Sequence, residues 1–123
     1  MIVLDHTAVL ALCRGHRMLS GLAVIGTDEP GQRAHVPALC LLAASLELPG
    51  ATAHVGALPA VEFLSLDFAA AAVVEQTVSA GVDWRHAHAV YATATGEPES
   101  LVLTATPEAY IGTGVWAVDI GKP

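Results

Sequence analysis

The chain has 123 residues, 54% of them apolar and only 14% charged, which suits one domain with a substantial core and no need of disulfides or a structural metal. Its formal charge is −7, and the cations are only Arg14, Arg17, Arg33, Arg85 and Lys122. That balance argues against tight, general binding to nucleic-acid phosphates, while leaving room for a small local basic patch or a metal-bridged contact. No apolar run reaches the roughly 18 residues of a membrane span. The start carries no basic leader and cleavage site, so a cytoplasmic protein is expected.

In chain order, Ile2 to Leu4 reads as a short buried strand that ends in Asp5. Thr7 is placed to cap a helix through about Cys13, closed by Gly15. Asp5, just ahead of Thr7, can itself cap that helix or belong to a metal or ligand site, and both readings stay open. His6 beside it could enter the same site, and is expected rather to face solvent or cap the helix. Met18 to Ile25 predicts a second helix, and the turn residues of Gly26 to His35 predict a loop. Pro37 suits a first helical turn, with an apolar helix over Ala38 to Leu46. "ELPGATAHVGALP" reads as a second loop-like stretch and Val61 to Leu66 as a strand. Asp67 is an N-cap for "FAAAAVVEQTVSA", the clearest helix of the chain, which Gly81 closes.

Asp83 then caps a helix from Trp84 to about Thr95, ended by Gly96. At 3.6 residues per turn Trp84, Ala87, Tyr91 and Ala94 share one face, expected to be core. His86 and His88 fall on the flanks and are expected to be solvated, because an i, i+2 pair does not share a helix face. Leu101 to Leu103 predicts a strand leading into "TATPEAY", where Thr104 and Thr106 are expected to hydrogen-bond within a turn. Val115 to Ile120 predicts the last strand, with Trp116 at core or interface. Cys13 and Cys40 are isolated and read as small core residues. Helices separating short apolar strands imply a parallel sheet with helices on both faces, whose ligands bind beyond the carboxyl ends of the strands. "GTGVWA" has the spacing of a dinucleotide loop but precedes a strand instead of a helix, so it is set aside.

Taken together, "IVLDHTAVLAL", "VPALCLLAAS", "WRHAHAVYATATG", "LVLTATPEAY" and "VWAVDI" resemble, in order and over nearly the whole length, the segments of PIN-domain proteins. The resemblance implies a single domain over residues 1–123, a three-layer α/β/α sandwich around a mostly parallel sheet, and frequent dimerisation. Many members are ribonuclease toxins of bacterial toxin–antitoxin pairs, which implies an antitoxin-like protein partner and an RNA or DNA target. Family nucleases gather three or four acids at the strand ends to hold Mg²⁺ or Mn²⁺, hard cations that want oxygen ligands.

Carried over residue by residue, the family site is mostly missing. Asp5 matches the first acid. Ala43 or Ala44 stands where the second should be, with Glu47 one turn later as its nearest substitute. His86, or Arg85, occupies the third position, where Asp83 is the nearest carboxylate. Thr106 replaces the fourth. The candidate catalytic residues are therefore Asp5, Asp83 and Thr106, and the candidate metal ligands are Asp5, Glu47, Asp83 and His86, with any Mg²⁺ or Mn²⁺ held weakly. The expected function is a PIN-like, non-catalytic binding module acting through a protein partner or nucleic acid. The alternative is a metal-dependent ribonuclease with a reduced site.

Overall fold

The computed structural model describes residues 1–26 and 33–121. Five short strands form one all-parallel sheet: β1 (Ile2–Leu4), β2 (Ala34–Pro37), β3 (Val61–Leu64), β4 (Leu101–Thr104) and β5 (Ala117–Asp119). Their spatial order is β3-β2-β1-β4-β5, so the chain winds outward from β1 in one direction and returns to build the other half. Among the described residues six helices join and cover them: α1 (His6–Cys13), α2 (Arg17–Val24), α3 (Ala38–Glu47), α4 (Ala51–Gly56), α5 (Phe68–Ser79) and α6 (Trp84–Thr95). A 3₁₀ turn, Pro107–Tyr110, follows β4. The result is the expected α/β/α sandwich, with a sheet that is parallel throughout.

The two cores follow from the two-residue period of the strands. Leu4 and Leu103 face one side, where Ala8, Leu12, Leu19, Ala23 and Val55 from α1, α2 and α4 pack on them. Val3 and Val102 face the other, against Ala89, Ala92 and Tyr110. Each fully buried Val or Leu contributes about 1.5–3 kcal/mol relative to an exposed one. Alanines at buried helix positions, among them Ala43, Ala44, Ala87 and Ala89, let α1, α3 and α6 approach closely.

Several local expectations are corrected. The segment read as a loop up to His35 contains the start of β2, and residues 27–32 of it lie outside the described residues. The strand was hidden by its shortness and by His35, whose ring reaches Glu62, its register partner on β3, at 2.8 Å. The second loop-like stretch holds α4, a six-residue helix with no side-chain cap, entered through Gly50 at φ 93°. Asp5, not Thr7, caps α1. Trp84 is 38% exposed and Tyr91 only partly buried, whereas His86 and His88 are buried. The flanks of α6 are not solvent, because α3, α5 and the sheet enclose it. His88 has structural work there: its Nδ1 accepts from the Leu39 amide at 3.2 Å, serving the start of α3, where Pro37 offers no capping side chain. Burial pushes its pKa down, partly opposed by the Ser65 backbone and Asp67. Cys40 is buried as expected, and burial raises its thiol pKa; Cys13 is only partly covered. Trp116 is 60% exposed.

Candidate functional site

The strand order reverses between β1 and β4, and Asp5 and Thr104 stand at the carboxyl ends of those two strands. A crevice at such a reversal is where open parallel sheets bind ligands. Here α1 starts directly after β1, α6 begins at the same end of the sheet, and the 3₁₀ turn folds across it.

Asp5 is wholly buried, and both its oxygens are engaged. Oδ1 accepts from the Thr7 hydroxyl at 2.6 Å and from the Ala8 amide at 3.0 Å. Oδ2 accepts from the Tyr110 hydroxyl at 2.7 Å, and His86 Nδ1 lies 3.3 Å away. Burial pushes the carboxyl pKa up, but hydrogen bonding from His86, Thr104, Thr7 and Tyr110 outweighs it and holds the pKa below its ordinary value. Asp5 is thus a buried, ionised carboxylate tying together β1, α1, α6 and the 3₁₀ turn.

The Tyr110 proton is committed to Asp5, so its oxygen is free to accept, and His86 Nδ1 lies 3.0 Å from it. That geometry puts a ring hydrogen of His86 on Nδ1, donating to the Tyr110 oxygen. His86 also lines the adjoining cleft. Burial and the neighbouring Asp5 both push the Tyr110 hydroxyl pKa up. His6 is buried too, joining the site instead of facing solvent or capping the helix. Its ring meets that of His86 edge-on at 4.8 Å, its Nδ1 is enclosed without a partner, and burial pushes its pKa down against the opposing pull of Asp5.

A second strand of hydrogen bonds leaves Thr7. Its hydroxyl accepts from the Ala105 amide at 2.8 Å and lies 3.1 Å from the Thr104 hydroxyl. Thr104 accepts from the Thr106 amide at 3.0 Å, the turn bonding expected of this pair. Thr106 therefore joins the network through Thr104 and does not touch Asp5.

The other candidates lie apart. Asp83 is exposed at the N-cap of α6, where it accepts from the Arg85 amide and is gripped by the Arg85 guanidinium at 2.9 Å and 3.1 Å. Those Arg85 contacts hold its pKa down at about 2. Glu47 is exposed at the end of α3, and the Ala43 and Ala44 positions are packed in the core. Among the described residues no three His, Cys, Asp or Glu side chains converge on a point suited to a metal ion. A hard cation wants several open oxygens. Asp5 presents none, so this donor set does not fit Mg²⁺ or Mn²⁺.

Sequence reasoning missed Tyr110 and the cross-linking role of Thr7, and gave His6 in the site only as the lesser of two readings. The one available signal was that a buried carboxylate needs donors, and the hydroxyls at the same strand ends are Thr7, Thr104, Thr106 and Tyr110. Fold and site together define the class: an α/β/α domain with a buried carboxylate–tyrosine–histidine network at the point where its sheet reverses. Comparison of the chain with protein-family models, curated proteins and solved structures returns no match.

Proposed function

We propose that the chain is a PIN-like domain that works by binding and not by metal-dependent phosphodiester cleavage. The observation that carries this is the state of Asp5. It is the one acid in register with the family pattern, and it is buried with both oxygens satisfied by Thr7, Ala8, Tyr110 and His86. Freeing it for a cation would strip a buried charge of its donors, which costs several kcal/mol.

A protein partner is favoured over nucleic acid by the net charge of −7. Protruding apolar side chains supply contact surface, with Ile25, Phe68 and Ile111 each more than four-fifths exposed. A second copy of the chain or a small antitoxin-like protein suits such a surface. No helix among the described residues is long and apolar enough to cross a membrane.

The test is a melting curve with and without millimolar Mn²⁺, beside incubation with single-stranded RNA. The expected result is no shift and no cleavage, because only ligands that bind the folded state raise its melting temperature. Mn²⁺-dependent cleavage that disappears in Asp5→Ala would overturn the proposal and establish the reduced-site ribonuclease. Sedimentation of the purified chain reads dimer formation separately.

A further inference from the structure

On the Leu4 side of the sheet an open groove of ≈ 510 Å³ runs between α2 and the strands, within the size range of small-molecule sites. Its floor is Ile2 on β1, its register partner Leu101 on β4, and Leu103 two residues further on. Its wall is one face of α2 and its C-cap: Arg17, Gly21 and Ile25 at four-residue steps, with Met18 and Leu22 beside them. Between β4 and β5 the chain makes a 3₁₀ turn instead of a helix, and that turn packs on the other face through Tyr110. Among the described residues α2 is therefore the only helix lining the groove.

Gly21 is the first sign of an occupant. It sits inside the helix, where glycine is less favourable than alanine. Its φ is not positive, and a Cβ built there would meet no atom within 4 Å outside its chain neighbours and its own helix backbone. Neither backbone strain nor packing within the chain requires a glycine at this position, whereas a ligand lying close against the helix backbone does. Arg17 is the second sign. It is the only charged side chain on an otherwise apolar lining, a guanidinium with donors only, in a chain of net charge −7. Charge complementarity asks for an anion at that end and hydrocarbon along the rest. An extended peptide would press its amide hydrogens against side chains that offer no oxygen to receive them.

We propose that this groove binds an unbranched aliphatic carboxylate, a free fatty acid of medium chain length. Its carboxylate meets the Arg17 guanidinium, and its chain lies over Gly21 toward Ile25. The eight residues of α2 rise about 12 Å, which matches an extended chain of about ten carbons. The proposal goes beyond the binding-module reading and uses none of the residues around Asp5.

Decanoate is the probe, kept below its micelle-forming concentration and titrated into the full chain by calorimetry at neutral pH and low salt. The chain has only two methionines, so ¹³C-methyl labelling reads Met18 in the groove against Met1 outside it. Saturable binding that moves the Met18 signal and leaves Met1 in place is expected. Acetate lacks the chain, methyl decanoate lacks the charge and decyltrimethylammonium reverses it; each should bind several-fold more weakly or not at all. Arg17→Gln should weaken decanoate several-fold, the modest worth of an exposed ion pair. Gly21→Leu fills the groove and should abolish binding while the chain stays folded, since the space beside Gly21 is open. Gly21→Ala should raise Tm by about 2–5 °C through helix propensity, because the glycine serves the ligand and not the fold. The proposal is overturned by absence of saturable binding, or by methyl decanoate or the ammonium binding as tightly as decanoate. Affinity unchanged in Gly21→Leu or in Arg17→Gln, a Met1 signal that moves with Met18, or a Gly21→Ala chain that melts below the original would each overturn it as well. Manganese-dependent RNA cleavage would sink the binding-module reading and leave this titration to stand or fall by itself.

Discussion

Tyr110→Phe isolates the central contact of the site. The tyrosine is 3% exposed, and its hydroxyl both donates to Asp5 Oδ2 and lies in reach of His86 Nδ1. Removing that oxygen deletes one hydrogen bond to a buried charge, worth about 1.5–3 kcal/mol. His86 Nδ1, already 3.3 Å from Oδ2, can close on the carboxylate and recover part of the loss. The lost atom leaves little void, because the ring stays in place. The expected net destabilisation is therefore about 2 kcal/mol, a fall of roughly 6–10 °C in Tm for a domain of this size. Thermal and urea melts at pH 7 measure it. The sharper form is a double-mutant cycle with Asp5→Asn, where the pair should be coupled by about 1 kcal/mol or more. A Tyr110→Phe chain that melts within about 1 °C of the original, or a cycle that is simply additive, would show that the hydroxyl does not stabilise the carboxylate.

Other consequences are as direct. His88→Ala should cost about 2–3 kcal/mol by denaturant melt, since it removes buried volume and leaves the Leu39 amide without its acceptor. His6 and His88 have pKa values lowered by burial, so the unfolded chain takes up those protons first. Their contribution to stability is complete above about pH 6.5 and declines as pH falls from there through the folded values. Asp5, also lowered, adds a second loss below about pH 3.9, so melts across pH 3–8 should show two descending stages. Asp83→Ala should cost about 1 kcal/mol through the lost cap of α6, while Arg85→Ala should stay within about 0.5 kcal/mol because its ion pair is exposed.

Particular residues show how far the sequence could be read. Asp67 and Asp83 were legible as caps because capping is a local bargain between one carboxylate and an amide two or three residues on. The end of β1 at Asp5 was legible for a similar reason, a branched apolar run giving way to a charge. β2 and α4 were not, since four- and six-residue elements hold too little periodicity to outweigh a histidine, a proline or a glycine. The histidines of α6 were misread because helical periodicity tells which residues share a face, not what lies against it. His88 is buried by α3, an element some 49 positions away in the chain at the Leu39 contact.

What the sequence determined by itself was the alternation of short apolar strands with helices, and hence a parallel sheet covered on both sides. Burying both faces of such a sheet needs little more than the right spacing of apolar residues. The tertiary structure alone decided the fate of Asp5. Tyr110 lies 105 positions away along the chain and reaches it only because β1 and β4 are neighbours in the sheet. The donors to a carboxylate fix whether it can grip a cation, and here those donors are assembled by strand order.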